Sequence, residues 1–85
     1  MNIQVTARHT KASQTLQNQL KSELEKLERI TDKLTSCKVI LDKEHEENLV
    51  EIIVNALGSQ INAKAKDKVL GKAIDLAYTK AERQL

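Results

Sequence analysis

Four cations near the end of the chain are spaced so that they could bind phosphate groups. An α-helix over residues 66–85 would carry one apolar stripe, formed by Leu70, Ala73, Ile74, Ala77, Ala81 and Leu85, with Tyr78 at its border. The cations gather beside that stripe, at Lys68, Lys72, Lys80 and Arg83. Two carboxylates, Asp75 and Glu82, fall on the far margin. A helix edge with several cations is a natural docking surface for phosphate oxygens.

The first half of the chain repeats this division of charge. Apolar residues recur at helical spacing from Leu16 to Ile30, which predicts a first helix that runs to about residue 31, and Ser13 is the expected N-cap. Cations project to one flank, at Lys11, Lys26, Arg29 and Lys33, and carboxylates project to the other, at Glu25, Glu28 and Asp32. If the basic edges of the two helices adjoin, the groove between them carries about eight cations, extended by Lys64 and Lys66. That groove would be a concentrated phosphate site.

The same charges also fit an ordinary solvated surface. Glu25 and Arg29 are spaced i, i+4 for a surface ion pair, and so are Lys21 and Glu25. Each such pair contributes only tenths of a kcal/mol to stability. On the charge pattern alone, both interpretations stay open.

Composition limits the classes of function. With 85 residues, 40% hydrophobic and 31% charged, the chain forms one small domain and is too apolar to be disordered. Its longest apolar runs are three residues, too short to span a bilayer. Tyr78 is the single aromatic residue and cannot form a platform for several stacked bases, so a nucleic acid would be bound through backbone and shape. Without a signal sequence, and with Cys37 as the only cysteine, we expect a cytoplasmic protein.

No set of residues predicts catalysis, a cofactor or a metal. Cys37 lies on the alternating apolar positions of its segment, which favours a buried inert thiol over a nucleophile paired with His9 or His45. Residues 42–47 around His45 are rich in carboxylates, but consecutive loop residues cannot all converge on one ion. We therefore expect a protein that is not an enzyme, with an acidic hairpin tip that points away from any phosphate partner.

Alternating apolar and polar residues predict four strands. They cover residues 2–8, 37–42, 50–56 and 60–66. The charged segment 44–48 separates the second strand from the third, Gly58 and Ser59 mark the next turn, and Asp67 is the expected N-cap of the last helix. We expect a two-layer α+β sandwich of order βαβββα over residues 1–85, with both helices on one face of a four-stranded mixed sheet. The first two strands should pair in parallel, and the others antiparallel.

Short motifs in both helices carry a resemblance to a known family. Leu24–Arg29 (LEKLER) ends the first helix, and Ala73–Asp75 and Lys80–Leu85 (KAERQL) lie in the last one. Together with Val39–Asp42 and Asn62–Ala65, their order resembles the ribosome hibernation-promoting factor family, whose members are also called ribosome-associated inhibitors or subunit-interface proteins. The match covers nearly the whole chain.

This resemblance implies a domain that binds the small ribosomal subunit near the decoding region. There it blocks messenger and transfer RNA and stabilises inactive ribosomes under stress or in stationary phase. The family's helix cations that face ribosomal RNA stand here at Lys26, Arg29, Lys80 and Arg83. The positions of the other cations on the predicted helices and the fourth strand, without any family motif, add further expected RNA-binding residues. They are Lys33, Lys64, Lys66, Lys68 and Lys72.

A second hypothesis concerns the other face of the sheet. An exposed sheet face with Ile40 or Ile53 could bind another protein or a second copy of the chain. Such a module would bind its partner independently of the helix cations.

Overall fold

The computed structural model describes residues 1–85 as a four-stranded sheet with two helices packed against it. The elements are β1 (Asn2–Ala7), α1 (Gln14–Glu25), a 3₁₀ segment (Lys26–Arg29), β2 (Leu34–Glu44), β3 (Glu47–Ala56), β4 (Ser59–Asp67) and α2 (Leu70–Gln84). The expected α+β class and βαβββα order are confirmed. Neither helix combines the length and the apolar character needed to cross a membrane.

The strands lie in the order β1-β2-β3-β4. β1 pairs in parallel with β2, so that Ile3 lies opposite Cys37 and Val5 opposite Val39. The pairs β2–β3 and β3–β4 are antiparallel, as the short turns between them require. The predicted mixed sheet is therefore confirmed, with β1 and β4 as its two edge strands.

The core lies between the helices and one face of the sheet. All 13 buried residues are apolar, and the sheet contributes Cys37, Val39, Leu41, Val50, Ile52, Val54 and Ala63. These residues alternate along their strands because successive side chains of a strand point to opposite faces. α1 and the 3₁₀ segment add Leu20, Leu24 and Leu27, whereas the fully buried residues of α2 are Ala73, Ala77 and Ala81. An alanine stripe lets the backbone of α2 lie close to the sheet.

The first helix begins as expected and ends earlier. Ser13 is its N-cap, because the Ser13 hydroxyl oxygen accepts from the backbone N–H of Leu16 at 3.1 Å. The α-helix ends at Glu25, and the chain tightens into 3₁₀ turns over Lys26–Arg29 instead of continuing as an α-helix to about residue 31. Lys33 consequently lies in the turn before β2 and not on a helix.

The connections also differ from the expected boundaries. The charged segment between β2 and β3 belongs mostly to the strands, since Glu44 pairs with Glu47 and only His45 and Glu46 form the turn, with φ angles of 49° and 66°. Asp67 is the last residue of β4, and Val69 is the N-cap of α2. Asp67 still supports the helix start, because its carboxylate accepts from the Val69 N–H at 2.8 Å.

Candidate nucleic-acid interface

The nine cations expected to bind RNA are all exposed, and most have no partner of opposite charge. Only two lie within 4.0 Å of a carboxylate: Lys26 Nζ is 3.0 Å from Glu23 and Lys64 Nζ is 3.8 Å from Glu51. The other seven form no ion pair, and they are Arg29, Lys33, Lys66, Lys68, Lys72, Lys80 and Arg83. Their charges are open to solvent and to an incoming phosphate.

The ion pairs expected for a merely solvated helix surface are not formed. Glu25 pairs with neither Lys21 nor Arg29, and the one intrahelical pair joins Lys26 to Glu23 at i, i+3. Lys26 and Arg29 share a flank despite the change of helix type, because side chains three residues apart eclipse each other in a 3₁₀ helix. We call these two residues the α1 patch.

The α1 patch faces the groove between the helices. The charges around Tyr78 on α2 indicate this orientation. Burial is the main cause that raises the pKa of the Tyr78 hydroxyl, and the negative charges of Glu82 and Glu23 raise it further. The nearby charges of Lys26 and Arg29 act on the same hydroxyl in the opposite direction. The side of α2 that faces the α1 patch therefore carries Tyr78 and Glu82, and not the cations of α2.

The cations of α2 lie on its other flank, toward the edge of the sheet. Lys80 Nζ donates to the backbone carbonyl of Lys64 on the edge strand β4 at 2.7 Å. Tyr78 and Lys80 are two residues apart, about 200° around the helix, so they project to opposite sides of α2. The expected single groove with adjoining basic edges is wrong, because the buried alanine stripe rotates α2 so that its basic flank faces away from α1.

Five cations consequently form a second surface. Lys72, Lys80 and Arg83 lie on the outer flank of α2, and Lys64 and Lys66 project from the open face of β4 beside it. We call these five residues the edge patch.

Two of the nine expected residues lie outside both patches. Lys68 is in the β4–α2 connection, and Lys33 lies beside the β3–β4 turn, where its carbonyl accepts from the Leu57 N–H at 3.2 Å.

The open face of the sheet carries a shallow cavity of about 430 Å³ next to the edge patch. Its lining includes three of the expected cations, Lys64, Lys66 and Lys80, and one that the sequence analysis did not select, Arg8. The only signal for Arg8 was its position on the polar side of the first strand. The parallel pairing of Ala7 with Leu41 brings Arg8 from the opposite end of the sequence to this site.

Local structure shifts the pKa of two other groups, Asp42 and Cys37. The carboxylate of Asp42 accepts from the ring Nδ1 of His9 at 2.9 Å and from the Lys43 N–H at 2.7 Å, and these bonds lower its pKa. Cys37 is buried as expected, and burial raises the pKa of its thiol to about 11. The thiol is therefore protonated at neutral pH and is not a nucleophile.

Known proteins share both the sequence pattern and the fold. The family described as "Sigma 54 modulation protein / S30EA ribosomal protein" matches residues 3–85. The ribosome hibernation promoting factor of Azotobacter vinelandii is 27% identical over 85 residues, which is 100% of this chain and 79% of the relative. The protein of that name from Pseudomonas putida is 28% identical over the same length, which is 83% of that relative. The resemblance to the hibernation-promoting factor family is confirmed.

Two solved structures have the same architecture. A ribosomal subunit interface protein from Coxiella burnetii superposes with a TM-score of 0.92 and 28% identity, covering 100% of this chain and 93% of that one. The N-terminal domain of Thermus thermophilus Protein Y gives a TM-score of 0.89 and 27% identity, covering 99% and 94% of the two chains.

Proposed function

The chain belongs to the Sigma 54 modulation protein / S30EA ribosomal protein family, and from that premise we propose that it is a non-enzymatic translation regulator that binds the ribosome. Its relatives from Azotobacter vinelandii and Pseudomonas putida are named for ribosome hibernation. The partner in this proposal is the small subunit near the decoding region, where the domain blocks messenger and transfer RNA and keeps ribosomes inactive under stress. Such a partner implies action in the cytoplasm.

The observation that carries the proposal is the set of seven exposed cations without an ion pair. Phosphate contacts dominate affinity for nucleic acids, and cations that are not neutralised within the protein are available for them. A small domain gains little stability from unpaired surface charge. The seven free cations are therefore better explained by an anionic partner than by folding.

The arrangement of the patches suggests how ribosomal RNA is bound. The α1 patch and the edge patch lie on opposite flanks of α2. We place RNA backbone on both flanks, so that the domain is wedged into an RNA groove instead of lying on one strand. Tyr78, the single aromatic side chain, is half-buried between the helices, so base stacking contributes little. Inhibition then follows from occupying the space that messenger and transfer RNA need.

Co-sedimentation with purified small subunits across a salt series tests this proposal. For about seven phosphate contacts, the affinity should fall roughly 10³-fold between 50 and 200 mM salt. The variant Lys26→Glu/Arg29→Glu/Lys72→Glu/Arg83→Glu should lose binding and should no longer inhibit translation in a cell-free system.

The control is Lys38→Glu/Lys43→Glu, which reverses two cations outside both patches. It should bind and inhibit like the parent protein. Absence of association at low salt, or association that does not depend on salt, would refute the proposal. Equal loss of binding in the control and in the charge-matched double variant Lys26→Glu/Arg29→Glu would show that only net charge matters.

A further inference from the structure

The cavity on the open face is built by two neighbouring rows of residues that run across the sheet. In the first row, Asp42 lies opposite Leu49 and Leu49 opposite Lys66, and Arg8 follows Ala7, the residue paired with Leu41. The second row continues the pattern with Thr6, Ile40, Glu51 and Lys64. Both rows project to the face opposite the helices, so this site differs from the groove between α1 and α2.

The cavity has an excess of positive charge. Arg8 and Lys66 have no carboxylate within 4.0 Å, while Lys64 is 3.8 Å from Glu51. Lys80 reaches the cavity over the edge of β4, where the Lys64 carbonyl fixes its ammonium group. Four cations thus face two carboxylates, Asp42 and Glu51. This excess suits a phosphate group, which carries a charge of about −1.5 to −2 at pH 7 as a monoester and about −1 as a diester in an RNA chain.

The floor of the cavity is apolar and lies between the cations. Ile40 and Leu49 are diagonal neighbours on β2 and β3, and both are half-buried. An apolar floor flanked by cations fits a flat ring that carries an anionic group. The volume of about 430 Å³ lies within the usual range of small-molecule sites, roughly 300 to 1,000 Å³.

The two carboxylates, Asp42 and Glu51, determine which hydrogen-bonding groups the ring must carry. Asp42 is held in place by His9 and by the Lys43 N–H, and the Glu51 side chain is only 24% exposed. Ionised carboxylates accept hydrogen bonds and cannot donate them, so they favour a base with N–H groups on its edge. Guanine presents an imino and an amino group side by side there, whereas uracil presents one imino group.

We propose that this cavity binds a nucleoside 5′-monophosphate, preferably guanosine, either free or as one unpaired nucleotide of an RNA chain. The phosphate lies against Lys64, Lys66 and Lys80 on the β4 side. The base covers Ile40 and Leu49, donates to Asp42, and is covered by the guanidinium of Arg8. The helix cations of the α1 patch take no part, so the site can exist whether or not the domain binds ribosomes.

Titration of ¹⁵N-labelled protein with GMP, followed by amide chemical shifts, tests the proposal. The shifts should saturate and concentrate at Arg8, Asp42, Leu49 and Lys66. Lys66→Ala and Arg8→Ala should each weaken GMP binding by about tenfold, because each removes a charged contact. Lys66→Arg should restore most of the affinity, and Lys21→Ala, on α1 and outside both patches, should leave it unchanged.

Three further titrations separate the ligand classes. UMP should bind at least about fivefold more weakly than GMP, since it lacks one donor to the carboxylate. Guanosine and inorganic phosphate should each bind about tenfold more weakly than GMP, because each lacks half of the contacts. The pentanucleotide UUGUU tests the source: tighter binding than GMP at the same residues identifies an RNA nucleotide, and weaker binding identifies a free nucleotide.

The proposal is overturned if GMP shifts no amides on the open face, if the shifts lie on the helices, or if inorganic phosphate binds as tightly as GMP. A negative result for GMP binding can be distinguished from a negative result for ribosome binding. Lys26→Glu/Arg29→Glu should weaken binding to small subunits and leave GMP affinity unchanged, whereas Arg8→Ala should weaken GMP binding about tenfold whether or not ribosomes bind the parent protein.

Discussion

The ammonium group of Lys80 on α2 donates to the main-chain carbonyl oxygen of Lys64 on β4 at 2.7 Å. One helical turn further along, the side-chain amide of Gln84 donates to the carbonyl of Asn62 at 3.5 Å. β4 is an edge strand, and free carbonyls on an edge are a template for pairing with another chain. These two side chains cover that edge, so Lys80 has a structural contact besides any role in binding RNA.

Removal of the Lys80 ammonium should weaken the fold. Lys80→Ala is expected to lower the free energy of unfolding by about 0.5 to 1.5 kcal/mol, because the Lys64 carbonyl loses its side-chain donor. Urea denaturation followed by circular dichroism measures this change. Lys72→Ala removes a cation without such a contact and should change stability by less than about 0.5 kcal/mol. Equal stability of the two variants would show that the contact contributes nothing.

The two patches should contribute separately to RNA binding. Lys26→Ala/Arg29→Ala and Lys72→Ala/Arg83→Ala each remove two cations, and each should reduce the slope of log affinity against log salt by roughly 1.5. The groups lie on opposite flanks of α2, so their free energies of binding should add within about 0.5 kcal/mol. Co-sedimentation of both double variants and the quadruple variant measures the sum.

Strong coupling between these variants would contradict the separation of the patches, since residues around one shared groove would depend on each other. Lys38→Ala/Lys43→Ala provides the reference for losing two cations elsewhere and should leave the salt slope unchanged.

Much of the fold could be predicted because its periodicities are local. Cys37, Val39 and Leu41 alternate and all are buried, and Ser13 caps the helix whose apolar spacing begins at Leu16. A parallel first pair followed from the helical crossover, and antiparallel neighbours followed from short turns. These features depend on residues that lie close together in the sequence or on general rules of chain connection.

The site was less predictable because it depends on how the elements are rotated and placed. A helical wheel shows that Lys80 and Tyr78 lie on different flanks, but not which flank faces α1. The wheel also assumes a continuous α-helix, whereas the chain changes to 3₁₀ turns at Lys26 and places Lys33 in a turn. Arg8 enters the open-face cavity only through the pairing of β1 with β2.

The alanine stripe of α2 should not tolerate larger residues. Ala77 is 0% exposed, and a leucine there would force α2 away from the sheet. Ala77→Leu is expected to lower the free energy of unfolding by about 1 to 3 kcal/mol, the usual effect of overpacking. Asp75→Leu adds the same side chain at an exposed position of α2 and should change stability by less than about 0.5 kcal/mol. Comparable stability of both variants in urea would show that α2 is loosely packed.

The stability of the domain should fall above pH 9 because of Cys37. Burial raises the pKa of this thiol from 9.0 to about 11, so the unfolded state releases the proton first as the pH rises. The folded state therefore loses stability relative to the unfolded state between about pH 9 and pH 11. Below pH 9 the thiol is protonated in both states, so the full stability is present there.

Urea unfolding of the parent protein and of Cys37→Ala, in reductant at pH 8, 9 and 10, isolates the effect because all other titrating groups are shared. The stability of the parent relative to Cys37→Ala should decline across the series, and iodoacetamide should alkylate Cys37 rapidly only beyond the urea midpoint. A constant difference between the two proteins, together with rapid alkylation in the native state, would show that the thiol is accessible.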